Sequence, residues 1–208
     1  MKGSSHALVG GVVGGLVSLG TGNDLVSTGT VTLTVAGTVA GLIPDLDTNG
    51  KLSNKITFSH RFIKSIMMLL GLVVIAFGMI KGEGLEKVYG LGVGLGFIIA
   101  SKYITQRRMQ MVTGLGVTIL GVTMGIMWVI LLGVYVLISS KLSHRGHTHS
   151  VIGIVYFGYM AFLMQQDLHI DGLFLALLLG YISHIVCDFK VFNKQGVKVF
   201  KPFIDVEF

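Results

Sequence analysis

The sequence predicts an all-α membrane protein, a polytopic transmembrane helical bundle of about seven or eight helices, some of them short or re-entrant. Of its 208 residues, 52% are hydrophobic and only 12% are charged, whereas soluble domains carry about 25% charged residues. The mean hydropathy is +0.79. The 30 glycines and two prolines follow no collagen period, so the small residues are expected to let helices pack closely. We expect one membrane-embedded domain over residues 1–208, with a short basic interfacial tail over residues 189–208.

Charge-free apolar runs predict the helices in order. They cover residues 7–20, 25–43, 65–80, 88–100, 112–138, 151–164 and 172–187. A straight transmembrane helix needs about 20 residues, so the shorter runs are expected to lie partly inside the bundle or to gain length from polar flanks. The first two runs are predicted to form an interior hairpin that turns at residues 21–24, because they contain pairs of small residues four apart. These pairs are Gly10/Gly14, Gly11/Gly15, Ala36/Ala40 and Gly37/Gly41, and Gly92/Gly96 repeats the spacing later.

The run over residues 112–138 leaves the topology open. It forms either one long tilted helix or two short helices hinged near Gly125. If it crosses twice, or re-enters as a partial hairpin, 14 of the 16 Lys and Arg residues lie on the side of His6, opposite Lys81 and Lys87. A single crossing divides them 8 to 8. Because cytoplasmic loops carry an excess of Lys and Arg, we favour two crossings of the membrane, with the His6 side cytoplasmic.

Ionisable residues near membrane segments are expensive and mark functional sites. Under this topology four sets of them reach the side of His6. The sets are His6; Asp45 and Asp47; His144, His147 and His149; and His184 and Asp188. Imidazoles and carboxylates suit Zn, Mn or Fe better than Ca, and the single cysteine, Cys187, excludes a Cys-based zinc site and a disulfide framework. His184 and Asp188 are four residues apart, which places them on one face of a helix.

Single members of these sets have structural explanations as well. A lone interfacial histidine is also typical of an amphipathic anchor, paired aspartates of a turn, and a His–Asp pair four apart of helix stabilisation. The three histidines within residues 144–149 have no packing explanation, so they indicate a functional loop. We expect Thr148 or Ser150 to cap the helix that follows. His60 and His169 are expected to be solvated loop residues, although His60 lies on the correct side to be a further ligand.

Four sequence elements follow one another in a characteristic order. They are His6, Pro-Asp-x-Asp at 44–47, His-Arg-Gly-x-Thr-His-Ser at 144–150, and Gly-Tyr-x-Ser-His-x-x-x-Asp at 180–188, followed by a tail from Gly196-Val197 to Pro202. This order resembles the YdjM-type family of inner-membrane metal-dependent hydrolases, some of them described as LexA-binding. The resemblance spans nearly the whole chain and implies a helical membrane fold, a divalent metal centre and hydrolase activity. That family is distantly similar to zinc-dependent phospholipase C and P1-type nucleases, which act on phosphoesters.

Under this hypothesis three or four of seven candidate ligands hold a divalent ion, with Zn first and Mn or Fe as alternatives. The candidates are His6, Asp45, Asp47, His144, His149, His184 and Asp188. Three residues are predicted to be catalytic: Asp47, Arg145 and His149. Asp47 would orient or deprotonate water, and the planar guanidinium of Arg145 suits a phosphate or carboxylate. The predicted reaction is hydrolysis of an anionic ester, such as a phospholipid or other phosphoester, by metal-activated water from the cytoplasmic face.

Two other functions stay open. A non-enzymatic membrane scaffold would dock a cytoplasmic protein, such as a LexA-like repressor, through the basic segments 51–64 or 102–108. A metal or proton transporter would need ligands near mid-membrane with access from both faces, whereas these sets gather at helix ends. Membrane lipids are expected partners, and the lysines of residues 190–201 would either lie against anionic lipid or be solvated. Nucleic acid binding is not favoured, because no recognition motif accompanies the charge.

Overall fold

The structure, a computed structural model, describes residues 3–47, 59–142, 147–189 and Val199, with the side chain of Asp47 outside the description. This part of the chain forms eight α-helices and two 3-10 turns, without strands. The α-helices are α1 Gly3–Gly20, α2 Thr28–Ala40, α3 His60–Lys81, α4 Leu85–Lys102, α5 Gln106–Met124, α6 Met127–Ser139, α7 Val151–Leu168 and α8 Leu173–Cys187. The 3-10 turns are Ile43–Asp47, after α2, and His147–His149, before α7. The predicted all-α fold is confirmed.

Helix length separates candidate membrane spans from shorter helices. Among the described helices, α1, α3 and α7 are long and apolar enough to cross a membrane, and α4 with α5, bent by 89° at their junction, is a fourth candidate as one broken span. Helices α2 and α6 have 13 residues and α8 has 15, about 20 Å at 1.5 Å per residue. The hydrocarbon core of a bilayer is about 30 Å thick, so these three helices are too short to cross it straight.

Glycines bring α1, α2 and α8 into close contact. A Cβ on Gly10 would lie 2.3 Å from the Gly37 carbonyl oxygen, and a Cβ on Gly180 would lie 2.7 Å from the same oxygen. The predicted hairpin of the first two runs is therefore confirmed, with its turn between Gly20 and Thr28. The prediction that this hairpin is interior is wrong, because α1 and α2 each expose an apolar outer face. Its exposed side chains include Leu8, Val12, Leu16, Val31 and Val35.

The later glycine pair, Gly92 and Gly96, does not pack as the sequence predicts. A Cβ on either residue would meet nothing within 4 Å. Helix α4 contacts α3 through Gly94 instead, where a Cβ would lie 2.5 Å from the Gly71 carbonyl oxygen. Glycines recur at every second position over residues 90–96, so their four-residue spacing fits two different faces of α4 and does not identify the one that packs.

The run over residues 112–138 forms two helices, α5 and α6, which break at Gly125, where φ is 69°. The two helices pack antiparallel, because the first half of α5 contacts the end of α6 at Gly114 and Leu137. Of the two sequence alternatives, the hinged pair is the one observed. The chain consequently returns to the end of the bundle at which α5 began.

A buried apolar core lies where α2, α6, α7, α8 and the turn after α2 meet. Its largest fully buried apolar side chains are Leu33, Leu46, Phe157, Tyr181 and Ile185. At one end of this core the apolar side chains give way to a cluster of buried ionisable groups.

Candidate metal centre

Five of the predicted site residues lie together at one end of the bundle. They are His6 in α1, Asp45 in the turn after α2, His149 in the turn before α7, His184 in α8, and Asp188 directly after α8. The three histidines and Asp188 are at most 2% exposed, while the Asp45 side chain is 23% exposed. Buried ionisable groups are costly unless they are paired, hydrogen-bonded or bound to a metal.

Three side-chain atoms converge most closely. His149 Nε2 lies 3.1 Å from His184 Nε2, and Asp45 Oδ1 lies 3.6 Å from the His184 nitrogen and 3.9 Å from the His149 nitrogen. A point equidistant from the three atoms lies about 2.1 Å from each, and zinc–nitrogen and zinc–oxygen bonds are about 2.0–2.2 Å long. The three atoms therefore have the spacing expected of ligands to one divalent ion.

Contacts on the far side of the two imidazole rings orient their Nε2 atoms toward each other. His184 Nδ1 donates to the Gly41 carbonyl oxygen at 2.7 Å, so the neutral ring carries its lone pair on Nε2. His149 Nδ1 lies 3.1 Å from the Thr148 hydroxyl, which leaves its Nε2 facing that of His184. At 3.1 Å the two Nε2 atoms share either a proton, donated by His149, or a cation. Metal-ligating histidines are held through their other nitrogen in the same way.

His6 and Asp188 form a second group around His184. The His6 and His184 rings stack with their centroids 3.9 Å apart, and His6 Nε2 lies 3.5 Å from Asp188 Oδ1. The other Asp188 oxygen is 3.8 Å from Nε2 of both His149 and His184. Within the described part of the chain, buried His6 Nδ1 has no hydrogen-bond partner. Because an unsatisfied buried nitrogen costs stability, this atom also fits a site that takes up a ligand.

Buried hydroxyl groups hold the turn that carries His149. The Tyr181 hydroxyl donates to the Thr148 carbonyl oxygen and lies 3.1 Å from the Tyr135 hydroxyl. A Cβ on Gly153 would lie 2.6 Å from the same carbonyl oxygen, so glycine lets α7 start this close to the turn. Side chains of α6 and α8 and the backbone of α7 thus fix the position of His149.

Gln110 holds the turn that carries Asp45, and sequence reasoning missed it. The buried amide nitrogen of Gln110 donates to the Leu46 carbonyl oxygen at 2.7 Å and to the Ser139 hydroxyl at 2.9 Å. A glutamine that follows two arginines near the start of a helix is typical of a solvated surface, so the sequence gives no signal for this role. The contact also places the start of α5, with its two arginines, at the end of the bundle that holds the cluster.

Replacing Gln110 with Leu should lower the free energy of unfolding by about 1–3 kcal/mol, because the buried Leu46 carbonyl loses its hydrogen bond. We expect the apparent melting temperature to fall by about 5 °C, measured in detergent by fluorescence of the single tryptophan, Trp128. The matched control is Gln166→Leu, at an exposed position of α7. Equal shifts for the two variants would contradict the role of Gln110.

Three other histidines of the described residues belong to neither group of potential ligands. His147 begins the turn before α7 and belongs to neither group of potential ligands. The expectation that His60 is a solvated loop residue is wrong, because it begins α3 and its Nδ1 lies 2.7 Å from Gln106 Oε1. His169 is exposed at the end of α7, as expected.

Outside the described residues lie the Asp47 side chain, His144, Arg145 and the basic tail at residues 190–198 and 200–208.

The start of α7 differs from the predicted side-chain cap. Ser150 occupies the N-cap position, but neither it nor Thr148 caps the helix, because no side chain accepts from the first backbone N–H groups. The Ser150 hydroxyl donates to the His147 carbonyl oxygen instead, at 2.7 Å. The Val151 N–H donates to the Val199 carbonyl oxygen at 2.8 Å, so backbone from the tail satisfies the first residue of α7.

A comparison with protein families relates the whole chain to one of them. The family model described as YdjM inner membrane protein matches residues 1–208. No curated protein and no solved structure matches the chain. The match covers the whole chain and therefore includes the five clustered residues.

Proposed function

The chain belongs to the YdjM inner membrane protein family, and we propose that it is a membrane-embedded, metal-dependent hydrolase. The observation that carries this proposal is the convergence of His149, His184 and Asp45, whose facing atoms lie 3.1–3.9 Å apart at one end of the bundle. The proposed substrate is an anionic ester, such as a phospholipid or another phosphoester, reached from the cytoplasmic face.

The donor set supports a divalent transition metal. Catalytic zinc sites use three protein ligands, often two imidazoles and a carboxylate, and keep one coordination position open. We therefore infer Zn²⁺, with Mn²⁺ and Fe²⁺ as alternatives that accept similar ligands. His149, His184 and Asp45 would hold the ion. Asp188 lies close enough to both imidazoles to join them or to orient them, and His6, stacked on His184, would support the same ring.

A divalent ion bound here would supply an activated water nucleophile and polarise the ester. The chain's own residues would bind and orient the reactants. Asp45 is the most exposed member of the cluster, so substrate would approach from its side. We propose that Asp47 orients or deprotonates the water and that Arg145 binds the anionic group, because these residues are close in sequence to Asp45 and His149 and have the required chemistry.

An apolar pocket beside the cluster supports a lipid substrate. Its lining includes Tyr135, Ile138, Leu142, Thr148, Ile152 and Tyr156. Thr148 directly precedes His149, so the pocket adjoins the cluster, and Ile138 and Ile152 are 49% and 40% exposed. A hydrocarbon chain entering from the bilayer would fill this pocket while its ester group reaches the histidines.

The distribution of basic residues supports a site at the cytoplasmic face. Arg107 and Arg108 begin α5, and the neighbouring Gln110 is bonded to the turn that carries Asp45. Lys81 ends α3, and Lys87 lies in the first turn of α4. Both therefore lie at the opposite end of the α3–α4 hairpin from Lys102. Because Lys and Arg are enriched on the cytoplasmic side, the end that holds the cluster is proposed to face the cytoplasm.

The proposal predicts that the purified full chain binds a metal ion and hydrolyses a phosphoester only when that ion is bound. Metal content is measured by mass spectrometry, and turnover is measured on phosphatidylglycerol and phosphatidylcholine vesicles after chelation and reloading with Zn²⁺, Mn²⁺ or Fe²⁺. His149→Ala should reduce turnover at least about 100-fold, because even residues that only support a ligand contribute 10- to 100-fold. The control is His169→Asn, since His169 is exposed with a φ of 54°, which Asn adopts readily.

The outcomes separate the competing functions. Absence of metal from the wild-type protein would contradict the metal centre, and bound metal without turnover of any phosphoester would contradict the hydrolase. A scaffold predicts that partner binding survives His149→Ala and is lost when the basic segments are neutralised. A transporter predicts zinc uptake into proteoliposomes that is lost in His184→Ala.

A further inference from the structure

A second polar site lies where α3 begins, α4 ends and α5 begins. It is a cleft of about 830 Å³ whose lining includes the cations Arg61, Lys64 and Lys102. No Asp or Glu is among its described lining residues, so positive charge accumulates there without a carboxylate to balance it. Its volume is within the range of small-molecule sites, about 300–1,000 Å³.

The floor of this cleft is polar and anchored. His60 Nδ1 donates to the amide oxygen of Gln106 at 2.7 Å, because that oxygen is only an acceptor. Gln106 is buried, and the bond ties the start of α3 to the start of α5. This bond fixes the spacing between the two helix starts, so the helices that carry the cations around the cleft have defined positions.

The backbone adds to the positive potential of the cleft. Helices α3 and α5 both begin at it, and the N-terminus of a helix carries a partial positive charge. The hydroxyls of Ser59 and Thr105 each accept one N–H of their helix, from Phe62 and Arg108. A helix N-terminus of this kind favours a nearby anion. Two helix starts and three cations therefore face one volume.

The surface next to the cleft is suited to hydrocarbon. Large apolar side chains of α3 follow the cleft along the helix and are exposed, among them Phe62, Ile66 and Leu69. Helix α3 is also one of the helices long and apolar enough to cross a membrane. The cleft thus lies at the polar end of a surface that a lipid tail would cover.

We propose that this cleft binds a phosphate group, carried by the headgroup of an anionic phospholipid whose acyl chains lie along α3. The cleft residues belong to neither group of potential metal ligands, so the proposal is independent of the hydrolase. A bound lipid would neutralise the clustered cations and anchor the α3–α4 hairpin to the cytoplasmic end of the bundle.

The test measures lipid retained by the full chain after purification from vesicles of phosphatidylcholine alone or mixed with phosphatidylglycerol, by native mass spectrometry. Phosphatidylglycerol should be retained, and the triple variant Arg61→Gln, Lys64→Gln, Lys102→Gln should weaken its binding about 100-fold, since each cation near anionic lipid contributes a factor of about five. The matched control is Lys81→Gln with Lys87→Gln, at the other end of the same hairpin. It should retain the lipid.

A soluble phosphate is distinguished by a second measurement, binding of inorganic phosphate to the detergent-purified chain. Phosphate binding that the triple variant abolishes, without selective retention of phosphatidylglycerol, would overturn the lipid as its carrier. Equal loss of lipid in the triple variant and the lysine control, or no loss in either, would overturn the site itself. Unchanged melting of the variants, followed by Trp128 fluorescence, excludes misfolding as the cause of a loss.

Discussion

Gly37→Ala is expected to lower the apparent melting temperature by about 10 °C, because a Cβ at this position would lie 2.3 Å from the Gly10 carbonyl oxygen. The nearest atoms are all backbone atoms of α1, so no flexible side chain can move away and the two helices must separate. Overpacking of this kind costs about 1–3 kcal/mol or more, and each kcal/mol shifts melting by about 2–4 °C in a chain of this size.

The matched control is Gly116→Ala in α5, where an added Cβ would meet nothing within 4 Å. Because alanine has a higher helix propensity than glycine, this variant should melt at the wild-type temperature or slightly above it. Thermal unfolding of both variants in detergent, without metal, is the measurement. A Gly37→Ala protein that melts like Gly116→Ala would show that α1 and α2 do not cross as closely as the structure has them.

The effect of Gly37→Ala should extend to the cluster, because the same crossing carries its residues. Gly37 also contacts α8 at Gly180, and the three helices in contact carry or precede His6, Asp45 and His184. Separating the helices would displace imidazole and carboxylate groups, and metal–ligand distances tolerate a change of only about 0.2 Å. Close packing of small residues therefore positions the site as well as stabilising the fold.

The spacing of small residues predicted how helices pack where that spacing fitted only one face of the helix. The glycine pairs predicted in the first two runs lie on faces that pack. Glycines at every second position of α4 left two faces possible, and Gly92 and Gly96 lie on the open one. Apolar runs likewise located the helices. They did not show that α1 and α2 expose their outer faces, because hydropathy does not distinguish lipid from protein as a neighbour.

The candidate site was predictable to the extent that its residues were chemically conspicuous. Buried imidazoles and carboxylates stand out in a chain with 12% charged residues, and five of them lie together in the structure. Gln110, Tyr181 and Tyr135 were not predictable as supports, because a glutamine near arginines and tyrosines in apolar helices are ordinary in sequence. Their roles depend on which backbone carbonyl each one reaches, and only the packed fold determines that.

His184→Asn is expected to weaken zinc binding at least about 100-fold, more than any other single substitution in the cluster, because His184 belongs to both groups of potential ligands. Residues that merely support a metal ligand contribute about 10- to 100-fold, so a ligand shared by both groups should contribute at least as much. His6 belongs to only one group, and His6→Ala should have a smaller effect, about tenfold.

Asparagine separates ligation from folding at this position. Its side-chain amide can replace Nδ1 as the donor to the Gly41 carbonyl oxygen, while the atom that faces His149 and Asp45 is lost. Zinc at about 100 times its Kd should stabilise the wild-type protein by about 2.7 kcal/mol, and this stabilisation should disappear in His184→Asn although its metal-free melting is preserved. His147→Ala is the control, because His147 lies in the same turn as His149 but in neither group. Zinc stabilisation that persists in His184→Asn, or is lost equally in His147→Ala, would show that the converging imidazoles do not bind the ion.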